Sequence, residues 1–179
     1  VGGGLAESAE TLLEYSSVDI CVQGEGEVTF KELLKQIDGP KGWEKLNGPK
    51  GWESVKGIVF KKNGKLFRTP LQEQISDLDI LPFPDYSLID AEKYILNIQD
   101  MVNDGYGDLS KLDPRVYDPK RSTRFIRLNT SRGCTTKCTF CHRQMQGLRT
   151  HSFEYIGDMI ENLVKDYDVG HISFGDECF

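Results

Sequence analysis

The sequence predicts an α/β fold, on three observations. Short apolar runs alternate with amphipathic stretches, as where "VDICV" (18–22) precedes Phe30, Leu33, Leu34 and Ile37 at i, i+3, i+4, i+7 spacing. A second alternation follows near the end, with "FIRLN" (125–129), a long helical stripe over 152–166 and "GHISF" (170–174). Glycine-rich turns stand at the ends of the first strand-like segments, in "VGGG" (1–4) and "GEGE" (24–27).

Taken in order, the chain reads as three zones. In residues 1–38, "VGGG" fits the end of a strand and a tight turn, and Ala9, Leu12 and Leu13 define the face of a first helix. "VDICV" is the next strand, and Thr29 with Glu32 has capping-box spacing for a second helix. Strand, helix, strand, helix is the doubly wound pattern, which binds ligands at the carboxyl ends of its strands.

Residues 39–120 read as connective. They contain a near-duplication, "GPKGWEKLN" (39–47) and "GPKGWESVK" (48–56), too short for a solenoid and better suited to a loop or hairpin insertion. Trp43 and Trp52 are expected to pack on a neighbouring surface. Two alternating runs flank Asn63-Gly64, the strongest short signal for a hairpin. Pro82 and Pro84 exclude helix from "DILPFPDYSLID" (79–90) and suit an extended strap. Residues 100–121 are polar and turn-rich, as a linker or mobile loop would be.

Residues 121–179 form the third zone. "FIRLNTSRGC" (125–134) reads as a strand that delivers the chain to a cysteine loop. Ser152 then caps a helix running to about Asp166, with Phe153, Ile156, Met159, Ile160, Leu163 and Val164 as its apolar face. With "GHISF" this makes one and a half βα units of a parallel sheet. The cysteines fall at the carboxyl end of the first strand, where α/β barrels place their chemistry.

Composition bounds the function. The 179 residues carry a formal net charge of −6 and are 38% hydrophobic, the profile of an ordinary globular protein. No apolar run is long enough to span a membrane, and the N-terminal residues have no signal-peptide character. The acidic balance argues against nucleic acid as a partner. The basic stretch 111–132, with seven Lys or Arg and two Asp, reads as a solvated linker. Five cysteines without a secretory signal imply a reducing, cytoplasmic setting, so metal ligation is favoured over disulfides. Both ends read as cut, the expectation being a fragment of a larger protein.

"SRGCTTKCTFCHR" (131–143) sets Cys134, Cys138 and Cys141 in C-x3-C-x2-C spacing, while Cys21 and Cys178 stand alone as expected buried small hydrophobes. A structural zinc site needs four closed ligands. His142 would complete the count, but adjacent residues such as Cys141 and His142 rarely both reach one small ion. A cubane iron–sulfur cluster needs one outside thiolate per iron. Three cysteines then leave one iron open to substrate or cofactor. The spacing therefore favours a cluster, with zinc and no metal as the alternatives.

These residues resemble a known family. C-x3-C-x2-C with Phe140 before the last cysteine is the hallmark of radical S-adenosylmethionine (SAM) enzymes. "TSRGCTTKCTFC" is similar to the subgroup that carries an N-terminal cobalamin-binding domain. "VGGG", "VDICVQGEGEVTFKELL", "GIVFKKNGKLFRTP" and "DILPFPDYSLID" resemble that subgroup in its usual order. The resemblance implies the C-terminal part of a Rossmann-like, flavodoxin-like cobalamin domain over 1–38 and a linker over 39–120. Residues 121–179 would then be the first βαβ portion of a partial TIM-type radical SAM barrel.

It further implies that Cys134, Cys138 and Cys141 ligate a 4Fe–4S cluster whose open iron is chelated by SAM, with the backbone near Phe140 touching the adenine. An electron from the cluster would cleave the sulfonium bond, releasing methionine and a 5′-deoxyadenosyl radical. Asp176 and Glu177 match an acidic pair that helps hold the SAM amino group, a role suited to carboxylates. Gly2, Gly3 and Gly4 match the glycine element facing the corrinoid's nucleotide tail, and Gly24, Glu25 and Gly26 the adjacent loop facing the corrin. His142, His151 and His171 all fall outside the cobalamin zone.

The expected activity is methyl transfer to, or rearrangement of, an unactivated carbon of a small-molecule substrate under anaerobic conditions. Flavodoxin or ferredoxin would be the electron donor. Three rivals are a zinc-stabilised interaction module, a corrinoid or electron carrier without radical chemistry, and an RNA-modifying methylthiotransferase. The last would want cysteines for a second cluster, which Cys21 alone does not supply.

Overall fold

A computed structural model describes residues 1–36, 52–98, 100, 118, 120–141, 145 and 147–178. The chain divides into two compact units, Val1–Ser76 and Asp77–Phe179. Trp43, Ile37, His142, the first copy of the duplication and most of the polar stretch 100–121 lie outside the described residues.

In the first unit, β1 (Ile20–Val22), β2 (Ile58–Lys62) and β3 (Lys65–Arg68) form one antiparallel sheet in that order. Asn63 and Gly64 both take positive φ, 51° and 75°, the backbone that a two-residue type I′ hairpin needs. The expected hairpin is thus present, but it pairs with β1 through Ile20↔Phe60 and Val22↔Ile58 and completes its sheet. Val1 donates its N–H to Ile20 O at 2.8 Å and accepts from Val22 N at 2.7 Å, the two bonds of a parallel neighbour across Cys21. Between Val1 and β1 run a 3-10 turn (Gly3–Ser8) and α1 (Ala9–Tyr15). Among the described residues, the doubly wound character is confined to this step.

The continuous apolar run of β2 is explained by burial on both faces. Val59 joins Ala6, Ala9, Leu13 and Cys21, while Ile58 and Phe60 join Val22, Leu33, Trp52 and Val55. Trp52 meets Phe60 edge-on at 5.3 Å, so the tryptophan of the second copy goes further than packing on a neighbouring surface and enters the core.

The second helix, α2, spans Gly26–Gln36 and starts three residues before the expected cap. Thr29 lies inside it, buried, with its hydroxyl donating to Lys56 O at 3.0 Å. The T-x-x-E spacing gave the wrong start because the left-handed turn at Gly24 already frees the chain to begin helix. Among the described residues of the expected stripe, Leu33 is fully buried, while Phe30 and Leu34 are exposed.

The second unit opens with the strap. Asp77 and Asp85 each accept a backbone N–H at 3.0 Å to start short 3-10 turns, Leu78–Ile80 and Tyr86–Leu88. A further turn, Ala91–Lys93, leads into β4 (Leu96–Asn97). β4 pairs antiparallel with β5 (Arg124–Leu128), and β5 pairs parallel with β8 (His171–Phe174), from Phe125↔His171 to Leu128↔Phe174. Between them run a two-strand ladder of β6 (Ser131–Arg132) and β7 (Arg149–Thr150), then α3 (Phe153–Tyr167).

Ser152 caps α3 by accepting from Tyr155 N at 3.1 Å, and Asp168 ends it in the left-handed region. Met159 and Leu163 bury against Ile95, Ile126, Leu128 and Val169. Phe153, expected in that face, is 90% exposed. It is the first helical residue, and helical side chains lean N-terminally, so its ring overhangs the end of the helix. Val164, at the margin of the stripe, is also exposed.

Candidate functional site

The chain leaves the carboxyl end of β5 at Asn129 and Thr130 and turns into β6. Pairing of Ser131 with Thr150 and Arg132 with Arg149 closes residues 133–148 into a loop with one narrow root. His151 N donates to Thr130 O at 2.9 Å just below it. Gly133 takes φ +84° and faces the Gly147 carbonyl so closely that no Cβ would fit. The parallel register of β5 and β8 brings residues 175–178 to the same edge.

On this loop Cys134 is half-buried, and Cys138 and Cys141 are exposed. The Thr136 hydroxyl lies 2.9 Å from Cys134 Sγ and 3.6 Å from Cys138 Sγ, and Cys141 N donates to Cys138 O at 3.2 Å. The Thr136 hydroxyl and backbone N–H hold the Cys134 thiol below its ordinary 9.0, against a smaller effect of burial, and the neighbouring Cys178 thiol adds to the lowering. Among the described residues no three metal-ligating side chains converge. Thr136 thus gathers Cys134 and Cys138, while the three thiols are not drawn into one ligand set. The donor chemistry still fits a cluster: three soft ligands on one closed loop, two exposed and one half-buried.

Cys178 corrects the sequence reading. It is half-exposed, and its thiol adds to the lowering at Cys134. The signal was its position just past a strand parallel to the one that feeds the loop. Cys21 is buried as expected, and burial pushes its thiol up.

The acidic pair divides. Glu177 is exposed, whereas the Asp176 carboxylate turns inward and accepts four hydrogen bonds from Thr130 and Ser131. Both border a small cavity of about 140 Å³ that also touches Gly133 and Met145 of the loop. The Phe140 ring is 90% exposed and packs on no part of its own unit's core.

A larger cavity of about 440 Å³ lies at the carboxyl end of β5, lined by Arg127, Asn129, Arg132, His151, Tyr155 and Gly175 among others. Sequence reasoning missed the group that shapes it. His151 Nδ1 pairs with Asp79 Oδ1 at 2.9 Å, and its ring stacks on Tyr155 at 4.1 Å. Tyr155 in turn donates its hydroxyl to Leu81 O at 3.1 Å.

In the first unit, a cavity of about 620 Å³ is lined by Gly2, Gly26, Val18, Ile20, Phe30 and Leu33 among others. Gly2 and Gly26, from the two glycine segments, both approach Val22. Gly3 and Gly24 take left-handed φ of 67° and 76°, and Gly3, Gly4 and Gly24 are exposed. Glu25 is only 6% exposed and accepts the Ile75 N–H at 2.7 Å.

No family model matches the chain. Over 172 residues, 94% of its length, it is 31% identical to an uncharacterised methyltransferase of Pyrococcus horikoshii, covering 30% of that protein. It is 30% identical over 171 residues to the anaerobic magnesium-protoporphyrin IX monomethyl ester cyclase of Rubrivivax gelatinosus, covering 26% of it. With the cytidylyl-2-hydroxyethylphosphonate methyltransferase of Streptomyces wedmorensis the identity is 25% over 195 residues, 33% of that relative. Among solved structures, it matches the radical SAM methyltransferase TsrM of Kitasatospora setae, bound to tryptophan and a SAM analogue. The TM-score is 0.54 at 17% identity, over 98% of this chain and 29% of TsrM. The chain spans a third or less of each of these four proteins. It is a homologue of two methyltransferases and a cyclase, with an α/β fold like that of a radical SAM methyltransferase.

Proposed function

We propose that this chain carries the cluster loop, and part of the SAM site, of a cobalamin-dependent radical SAM enzyme. The observation that carries the reading is the three-thiol loop at the carboxyl edge of β5, in a homologue of methyltransferases and a cyclase. Cys134, Cys138 and Cys141 would hold a 4Fe–4S cluster, which when bound supplies the electron that cleaves SAM.

The chain's own residues define the setting. The β6–β7 ladder holds the loop closed at the strand edge. Phe140 presents an open aromatic face and adjoining backbone to adenine. Glu177, exposed beside the loop, is free to accept from the SAM ammonium, whereas the oxygens of Asp176 are already engaged within the chain.

Gly2 and Gly26 line the cavity of the first unit, and Gly3, Gly4 and Gly24 belong to the same two glycine segments, which supports a cobalamin surface there; the Glu25 carboxylate faces its own unit instead. Methyl transfer to an unactivated carbon of a small molecule is the reaction proposed. A flavodoxin or ferredoxin would be the donor, in an anaerobic cytoplasm. Among the described residues no helix is long and apolar enough to cross a membrane.

The test uses full-length protein reconstituted without oxygen and reduced with dithionite. A 4Fe–4S EPR signal that shifts on adding SAM is expected. A signal indifferent to SAM would point to electron transfer, and stoichiometric zinc with no cluster would sink the enzyme reading.

A further inference from the structure

Asp176 follows β8 and is 45 residues from Ser131 in sequence. Its Oδ1 accepts the Thr130 N–H at 2.7 Å, the Ser131 N–H at 2.6 Å and the Ser131 hydroxyl at 2.8 Å. Its Oδ2 accepts the Thr130 hydroxyl at 3.0 Å. Bonds from neutral donors to an ionised carboxylate are the stronger kind. Four of them converge on two consecutive residues, which fixes the orientation of the backbone there. Those two residues are the corner where β5 ends and β6 begins. They set the angle at which Gly133 and Cys134 leave for the loop.

The ladder beyond that corner is short, two residues on each side. A two-residue ladder alone defines a loop root weakly, since short isolated hairpins are marginal in water. Asp176 supplies a third anchor, and it comes from a different strand. The loop root is thereby tied to the carboxyl end of β8, whose backbone N–H at Gly175 also bonds Leu128 O at 2.8 Å. Glu177, the next residue, is carried by the same anchor and held exposed at the edge of the small cavity beside the loop.

We propose that Asp176 is a positioning residue of the cysteine loop, locking its root to the end of β8 and so fixing Cys134 and Glu177 relative to one another. What the loop holds rests on the radical SAM reading; the lock itself does not. Asp176 acts through Thr130 and Ser131 and touches no reacting atom. Its removal loosens the ligand loop without removing a ligand, as loss of a group that orients metal ligands does.

The experiment compares full-length wild type with Asp176→Ala, Asp176→Asn and Ser131→Ala, using two readouts. In metal-free protein, hydrogen exchange is followed at the Thr130 and Ser131 amides and across 133–148. In reconstituted protein, iron release to a chelator is timed at a temperature where every variant is folded. Asp176→Ala is expected to lose protection at those amides and to release iron roughly 10- to 100-fold faster. Asp176→Asn, which keeps an acceptor oxygen, should fall between. The double variant with Ser131→Ala should release iron hardly faster than Asp176→Ala alone, because both changes break one link.

Unchanged protection of Thr130 and Ser131 overturns the proposal. So does iron release within about twofold of wild type, or a double variant whose effects simply multiply; a merely stabilising residue would give that pattern. A wild type that assembles no cluster defeats the radical reading instead, and the lock is then decided by hydrogen exchange alone.

Discussion

His151 and Asp79, 72 residues apart in sequence, pair Nδ1 to Oδ1 at 2.9 Å. The same carboxylate accepts the Ser152 N–H at 3.1 Å, at the start of α3. One side chain of the strap therefore engages both the histidine and the positive end of a helix, which favours an anion there. The strap's three 3-10 turns make few backbone bonds to the sheet, so side chains such as Asp79 and Glu92 hold it in place. Glu92 receives Arg124 through both oxygens, at 2.8 and 2.9 Å.

Removing Asp79 should release the strap. Its carboxyl is held below the ordinary 3.8, first by Ser152, against the effect of burial, and then by His151. A depressed folded pKa contributes stability above the unfolded value and loses it as pH falls through the folded one. Asp79→Ala should therefore unfold at a lower temperature than wild type at neutral pH. The gap should close on acidification below 3.8, and thermal scans from pH 7 to pH 2.5 check this.

Two glycines at the loop root should respond differently to alanine. At Gly147, φ is +74° and the space is open, so Gly147→Ala should cost about 1–2 kcal/mol, the left-handed penalty alone. At Gly133 the Gly147 carbonyl blocks any Cβ, so Gly133→Ala must shift backbone and cost well beyond that. Denaturant midpoints and exchange protection of Arg132 and Arg149 separate the two.

Trp52 should anchor the first unit. It is buried edge-on against Phe60, itself 1% exposed and 5.3 Å from Phe67. Trp52→Ala should destabilise this unit by about 3–5 kcal/mol. An equivalent loss from Trp52→Phe, which keeps an aromatic ring, would show that the cavity is not the cause.

Glu25 tests the inward carboxylate. Glu25→Ala leaves the buried Ile75 N–H without its acceptor and should cost about 1–3 kcal/mol. Glu25→Gln keeps an oxygen and should lose less. A neutral Glu25→Ala in urea unfolding would show that the N–H finds another partner.

Elements set by neighbouring residues were legible in the sequence. Ser152 and the stripe through Met159 and Leu163 define α3, Asn63-Gly64 defines the hairpin, and paired prolines keep the strap out of α-helix. Partner choice was not legible. Nothing local says that β2 pairs with β1, because both runs are apolar and short. The start of α2 was misplaced because T-x-x-E also occurs inside helices. At the site, the cysteine spacing marked the loop, but Asp79–His151 and Asp176–Ser131 join residues at least 40 apart. The first depends on where the strap lies against the start of α3 and the second on the parallel register of β5 and β8, and no window along the chain contains either.

The narrow doorway at β6 and β7 has a consequence for change over time. Closing a flexible segment the length of 133–148 costs of order 2–3 kcal/mol in chain entropy, and here the scaffold has already met that requirement. Closure then rests on a few root positions, Gly133 and Gly147 within the segment and Asp176 beside it, and the residues between them are relieved of that duty. A change of chemistry between those root positions is therefore expected to leave α3 and the two parallel strands as they are, whereas a change at the root is felt on both sides of it.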